Sequence, residues 1–180
     1  MIHLLLSISI FKKNGKLSQL IEKFERSKQD NPDFEKLSQE LTHYLQRKIE
    51  KNNPKLARGL KQKLIDGNRK HLVEIAIESK SKIHRKIAKY GLFKTANEVF
   101  LFLLSNTLSI FQYQIKGKIL SKEFSNQKID DFIADRIINP LWEDCQMSSL
   151  FDSIDEMYGL LFLLTGNCHI DWDNEYDLSP

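Results

Sequence analysis

The sequence predicts an all-α fold, a single bundle of about seven helices, from three observations. Apolar residues recur at helical spacings through most of the 180 residues. Stop signals such as Asn53-Pro54, Asp66-Gly67 and Gly91 separate these periodic stretches. Only the opening HLLLSISIF and the closing CHIDW have extended character. We therefore expect at most a minor two-stranded ribbon, formed by the two terminal segments.

The first three predicted helices are amphipathic. The first runs from Leu17 to about Lys28, and the second has its apolar residues between Phe34 and Ile49. Pro32 stands where a first helical turn tolerates proline, because that turn leaves its N–H groups unpaired anyway. The third helix is indicated by an apolar row that stops before Asp66-Gly67, namely Leu56, Leu60 and Leu64.

The fourth and fifth helices are longer. The fourth is predicted from Asn68, acting as its N-cap, to Tyr90, with Gly91 as the stop signal. The fifth is predicted from Thr95 to about Leu120 and is apolar around most of its circumference. A helix of that kind belongs in the middle of a bundle, so we expect the fifth helix there.

The last two helices lead to the end of the chain. The sixth is predicted over about 126–144, bent near Pro140 because proline removes a helical hydrogen bond. The seventh is predicted from about Ser149 to Leu164. Gly166-Asn167 follows it, and both residue types tolerate the positive φ found at many helix C-termini. We interpret this pair as the exit from the last helix.

Length and composition indicate one domain. We expect residues 1–180 to form a single helical domain, with an extended segment over 1–16, a helical body over 17–165, and a terminal motif with an acidic tail over 166–180. The opening MIHLLLSISIF lacks the basic start and cleavage site of a signal peptide and is too short to span a bilayer. Two cysteines are too few for a disulfide scaffold, so the prediction is a cytoplasmic protein without a membrane segment.

The charge is divided unevenly along the chain. Residues 1–128 contain 26 Lys+Arg and 12 Asp+Glu, net +14, whereas residues 129–180 contain 1 and 12, net −11. This division indicates an anionic partner for the basic body, or electrostatic docking of the two parts on each other. Solvated helix faces of opposite sign are the simpler alternative.

The densest basic stretch, residues 47–94, has 15 Lys+Arg against 4 Asp+Glu. Such a stripe is able to neutralise phosphates without base recognition, which makes nucleic-acid binding an alternative function. An acidic protein surface would fit the same stripe. The candidate contact residues are Arg58, Lys61, Lys63, Arg69, Lys70, Lys82, Arg85, Lys86 and Lys89.

Catalytic and metal sites are weakly indicated. Asp66 with Glu78 and Lys80 resembles the carboxylate and lysine set of metal-dependent nucleases, but that chemistry needs a strand pair in a mixed sheet, and the surrounding periodicity is helical. The acidic tail DWDNEYD has calcium-loop spacing without the required glycine. We expect no cofactor, no metal and no catalytic residue.

Thiol and zinc chemistry at the end of the chain are also disfavoured. Cys168 and His169 are neighbours, so in an extended segment they would point to opposite faces and would not bind one zinc ion with Cys145. Cys168 as a nucleophile remains open, because any of several histidines would serve as its base through space. These are His3, His43, His71 and His84.

Four ordered blocks of the sequence resemble the C-terminal domain of ABC three-component systems, which are Lamassu-like bacterial defence systems against phages and plasmids. The blocks are LTHYL at 41–45, GLKQKLIDGNR at 59–69, KTANEVFLFLL at 94–104, and MYGLLFLLTGNCHIDW at 157–172. The last block is the most specific, and together the blocks cover nearly the whole chain from about residue 16.

The resemblance implies a helical module without catalytic activity. It implies that the protein connects an effector, such as a nuclease, to a small middle component and to an SMC-like ABC ATPase that senses DNA. The closing motif then becomes the predicted partner-binding surface, with Gly166, Asn167, His169, Asp171 and Trp172 as its residues. We expect His169 and Trp172 to be exposed, since an amphipathic aromatic is a typical interface anchor. The alternative is that Cys168, Ile170 and Trp172 pack inward against the amino-terminal segment.

Overall fold

A computed structural model describes residues 15–29, 54–91, 93–167 and 169–172 of the protein. Within these ranges every regular element is helical and no strand occurs. The predicted all-α bundle is therefore confirmed. The second predicted helix, the amino-terminal extended segment and the tail after Trp172 lie outside the described residues. The part of CHIDW that is described, residues 169–172, is irregular rather than extended into a strand.

Eight α-helical segments form the described bundle. They are α1 (Lys16–Gln29), α2 (Pro54–Asp66), α3 (Val73–Tyr90), α4 (Lys94–Ile110), α5 (Lys116–Ser121), α6 (Asn126–Ile133), α7 (Asn139–Cys145) and α8 (Asp155–Gly166). A 3₁₀ turn, Lys70–Leu72, leads into α3. Two π-helical turns, Phe111–Ile115 and Ala134–Ile138, join α4 to α5 and α6 to α7, so each of these pairs is one continuous helix.

The centre of the bundle is α8 rather than α4, contrary to the sequence prediction. Every residue of α8 from Gly159 to Gly166 is buried, and the helix packs against α3, α2 and α4. By contrast, α4 leaves Leu101 64% exposed. Both helices are apolar, and only their position among neighbours decides which one is surrounded.

Gly159 allows α8 and α3 to approach closely. A Cβ atom at this position would lie 2.5 Å from the carbonyl oxygen of Ser79 and 3.1 Å from the side chain of Ile83. No side chain fits in that space without moving backbone, because an interior has almost no free volume. The glycine therefore sets the distance between the two most extensively packed helices.

The turn after α2 brings Arg69 into the core. The N–H of Asn68 donates to the carbonyl of Ile65 at 2.9 Å, and the N–H of Arg69 donates to Leu64 at 2.6 Å. This pair of bonds is a Schellman motif, whose left-handed residue is Asn68 with φ of 57°. Asn68 thus ends α2 instead of capping the next helix, and the predicted N-cap role is wrong.

The start of α8 differs from the prediction because α1 holds the preceding loop. The carboxylate of Glu25 accepts hydrogen bonds from the hydroxyl of Ser148 at 2.9 Å and from the backbone N–H of Ser149 at 2.7 Å. These bonds fix residues 149–154 in a non-helical path, so the helix begins at Asp155 instead of Ser149. Glu25 is distant in sequence, and no local pattern indicated its role.

Candidate interaction surface at the C-terminal motif

Trp172, the last described residue, is 2% exposed. Its indole N–H donates to the hydroxyl oxygen of Thr165 at 3.0 Å, and its ring meets Phe111 edge to face with centroids 5.4 Å apart. The expectation that Trp172 is exposed is therefore wrong. The inward-packing alternative is correct for Trp172 and for Ile170, which has no exposed surface. The amino-terminal segment that this alternative named lies outside the described residues.

Arg69 lies over the indole ring of Trp172. The centre of its guanidinium group is 4.7 Å from the ring centroid of Trp172, and its side chain is 1% exposed. Its Nε donates to Asp130 at 3.0 Å and its Nη1 donates to the carbonyl of Gly67 at 2.9 Å. Nη2 has no hydrogen-bond partner within the described residues, and the attraction of the cation to the ring partly offsets that loss.

Gly67 is needed where the backbone meets Trp172. A Cβ atom at Gly67 would collide with the Cβ of Trp172 and would lie 3.0 Å from its carbonyl oxygen. Its φ is negative, so the requirement is for space and not for an unusual backbone conformation. The residue predicted only as a stop signal thus also makes room for Trp172.

Side chains of the body hold the backbone of residues 169–171. Lys63 donates to the carboxylate of Asp171 at 2.7 Å and to the carbonyl of Ile170 at 3.3 Å. Lys116 donates to the carbonyl of Asp171 at 3.1 Å, and Gln112 donates to that of His169 at 3.1 Å. This segment therefore has a fixed path despite its irregular structure.

The remaining predicted partner-binding residues divide by exposure. Asn167 and His169 are exposed, and the side chain of Asp171 is 35% exposed. Gly166 is buried against the amine of Lys80. Neither Gly166 nor Asn167 has a positive φ, so that detail of the predicted helix exit is wrong, although α8 does end at Gly166. Cys168 lies outside the described residues.

The basic stripe predicted from residues 47–94 is not one continuous surface. Lys63 and Arg69 are bound to the acidic part of the chain, and Lys86 pairs with Asp152 at 2.6 Å and Glu156 at 2.7 Å. Lys61, Lys70 and Arg85 are exposed, Lys82 and Lys89 are half-buried, and the side chain of Arg58 is not described. A nucleic-acid site receives less support from this arrangement, because four of the candidate cations, including Lys82, already pair with carboxylates of the chain.

The division of charge along the sequence is explained in part by these contacts. Lys63, Arg69 and Lys86 belong to the basic body, and all of their carboxylate partners belong to residues 129–180. Electrostatic docking of the two parts on each other, one of the two interpretations, is therefore present in the fold. It anchors α8 and the C-terminal motif on α2 and α3.

The residues of the nuclease-like set do not meet at a site. Glu78 is exposed on α3 and pairs with Lys82 one turn away at 2.8 Å. Asp66 accepts a hydrogen bond from Gln62 at 2.6 Å, whereas Lys80 is buried beside Gly166. Among the described residues, no group of three potential metal ligands comes together.

Cys145 is fully buried, and burial with the nearby Asp144 raises the pKa of its thiol to about 12. A thiol with a raised pKa stays protonated at neutral pH and is a poor nucleophile. In a Cys168→Ser variant, we expect Cys145 to react with a disulfide reagent at about pH 8 at least ~100-fold more slowly in native than in urea-unfolded protein. Comparable labelling rates in the two states would contradict this prediction.

Sequence reasoning did not find the groups that hold Trp172. The sequence placed Thr165 at the end of the helical body, Phe111 within the fifth predicted helix, and Arg69 among the candidate nucleic-acid contacts. A tryptophan followed by a polar tail gives no sign of burial in the local pattern, and only Gly67, a glycine that removes a side chain from a close approach, offered a usable signal.

The described helices include none that is long and apolar enough to cross a membrane. A family model described as "C-terminal domain 9 of the ABC-three component (ABC-3C) systems" matches residues 59–172, which is more than half of the chain. The match begins inside α2 and ends at Trp172, so it includes both the motif and the residues that hold it. No curated protein matched the chain, and no solved structure did.

Proposed function

Since the chain belongs to the family of C-terminal domain 9 of ABC three-component systems, we propose that it is a non-catalytic interaction component of such a system. In this proposal it connects an effector, such as a nuclease, to a small middle component and an SMC-like ABC ATPase, as part of bacterial defence. The observation that carries the proposal is the C-terminal motif, whose irregular backbone is held rigidly on the bundle while Asn167 and His169 face outward.

A rigid, exposed loop suits recognition because little conformational freedom is lost when a partner binds it. The proposed contact surface consists of Asn167, His169 and the exposed part of Asp171. In this proposal Trp172 and Gly166 are buried and support the motif without contacting the partner. Trp172 packs against the body and fixes the path of the motif, and Gly166 lets α8 end against Lys80.

His169→Ala is the direct test of this surface. Its side chain is exposed and only its backbone is used in the fold, so we expect stability to be unchanged within about 0.5 kcal/mol. We expect the affinity for the co-expressed components of the same system to fall about tenfold or more. The measurement is quantitative co-purification of the full chain with those components.

His71→Ala is the matched control, because His71 is an exposed histidine on the 3₁₀ turn before α3. It should leave co-purification unchanged. Failure of the wild-type chain to co-purify with any component would overturn the proposed function. Equal losses from His169→Ala and His71→Ala would place the contact surface elsewhere.

A further inference from the structure

A narrow groove opens between α3, α6 and α8, and neither Phe111 nor Arg69 is among the residues that line it. It has a volume of about 250 Å³, and Trp172 forms part of its wall. Ile75 on α3 is 59% exposed at this groove although helical periodicity places it on an apolar face. The combination of an exposed isoleucine with an apolar groove lined by Phe162 and Trp172 is the unusual feature, because this side chain is left uncovered by the described residues.

The size and lining of the groove limit its occupant. Pockets for drug-sized molecules and cofactors generally have volumes of about 300 to 1,000 Å³. The smaller volume here fits one or two protein side chains. Its walls are mostly apolar and include Leu72, Tyr158 and Phe162, so the fitting side chain is itself apolar.

Two carboxylates line the same groove. Asp155 makes no ion pair within the described residues, and Asp130 uses only Oδ1, which accepts from Arg69. Burial, followed by the charges of Asp130 and Asp155, raises the pKa of Tyr158, so its hydroxyl stays protonated at neutral pH. An apolar slot with carboxylates at its edge is complementary to an apolar side chain that has a cation beside it.

We propose that this groove receives a short segment of a partner protein in which a leucine-like or phenylalanine-like side chain stands next to a lysine or arginine. The apolar side chain enters between Ile75 and Phe162, and the cation meets Asp155 and the free oxygen of Asp130. This inference rests on the proposed interaction function and names the chemistry of one contact. The groove adjoins Trp172, so the segment binds beside the C-terminal motif.

The two terminal segments of this chain could themselves compete with a partner for the groove, and they differ in charge. The residues that follow Trp172 include Asp173, Glu175 and Asp177, which have the same charge sign as the groove and are disfavoured there. The amino-terminal segment is apolar and continues into Lys12-Lys13, so its composition matches the groove. The experiment must therefore separate this segment from a partner.

A pair of synthetic nonapeptides tests the chemistry. Both have a central leucine in a serine-glycine background, and two lysines flank the leucine in one peptide where two glutamates flank it in the other. The full chain has two tryptophans, so a Trp142→Phe background leaves Trp172 in the groove wall as the only indole. We expect the lysine peptide to change its fluorescence and to bind at least ~10-fold more tightly than the glutamate peptide.

Two substitutions in the groove should change this binding in distinguishable ways. Asp155→Lys should reverse the preference toward the glutamate peptide, whereas Asp135→Lys, an exposed carboxylate outside the groove, should not. Ile75→Asp should abolish binding of both peptides, and Leu101→Asp, at an equally exposed leucine of α4, should leave it intact. Equal binding of the two peptides, or no binding at about 1 mM, would overturn the proposal.

Charge reversal in the amino-terminal segment, Lys12→Glu with Lys13→Glu, should leave the affinity for the lysine peptide unchanged. A rise of ~10-fold or more would show that the chain fills its own groove, and would overturn the proposal of a partner segment. Co-purification with the other system components separates the two proposals. If the Ile75→Asp variant co-purifies with these components as well as the Leu101→Asp variant does, the groove proposal fails while the proposed function stands.

Discussion

Trp172→Ala is expected to lower the free energy of unfolding by about 3 to 5 kcal/mol, the range for truncating a buried tryptophan. The change removes the contact with Phe111 and the hydrogen bond to Thr165, and it leaves the buried guanidinium of Arg69 without the ring beneath it. A buried cation that loses the attraction of an aromatic ring adds to the cost of the cavity, although its ion pair with Asp130 remains.

The measurement is urea denaturation of the full chain, followed by far-UV circular dichroism. Trp172→Phe keeps an aromatic ring and loses the indole N–H, so we expect the free energy of unfolding to fall by about 1 to 2 kcal/mol. Tyr113→Ala is the control, because Tyr113 is 88% exposed, and it should change stability by less than about 0.5 kcal/mol. Equal stability of the Trp172→Ala and Tyr113→Ala variants would contradict the buried position of the indole.

Gly159→Ala is expected to have the second largest effect, a net decrease of about 1 to 3 kcal/mol in the free energy of unfolding. Alanine forms helix more readily than glycine, and that preference alone would stabilise α8 by up to about 1 kcal/mol. Here the new methyl group would stand 2.5 Å from the carbonyl oxygen of Ser79, so α8 and α3 must move apart. Overpacking against rigid backbone therefore outweighs the helix preference.

Gly117→Ala is the matched control for that substitution. Gly117 also lies within a helix, α5, and a Cβ atom there would meet nothing within 4 Å. The same chemical change should stabilise the protein by about 0.4 to 1 kcal/mol, giving the two variants opposite signs in thermal or urea unfolding. If both substitutions stabilised the protein, the close approach of α8 to α3 would be wrong.

Trp172 and Gly159 should affect the proposed interaction by a different route from His169. Trp172→Ala and Gly159→Ala should weaken partner binding by loosening the motif or the bundle, whereas His169→Ala should weaken it at unchanged stability. Measuring both quantities on each variant therefore separates residues that support the motif from those that touch a partner. Because Trp172 is buried, we expect it to belong to the supporting group, in contrast to the direct anchor that the sequence suggested.

Much of the fold was predictable because helical periodicity and its stop signals are local. The predicted helix over Leu17 to Lys28 corresponds to α1, and the predicted stop at Asp66-Gly67 is the end of α2. The helix predicted from Thr95 to about Leu120 is the continuous run of α4 and α5. The π-helical turn between them was not predicted, although it contains Phe111, which contacts Trp172.

The sequence by itself determined the helical class, most boundaries of the described helices, and the closing motif by which the family was suspected. Tertiary structure alone decided that Trp172 lies inside, in contact with Phe111 and Arg69, and that Lys63, Arg69 and Lys86 bind carboxylates of the same chain. The reason is that periodicity identifies the apolar side of a segment, and charge counts identify the sign of its net charge. Neither identifies which distant element will meet that side, and the partner element decides whether an indole or a cation is buried or left for another molecule.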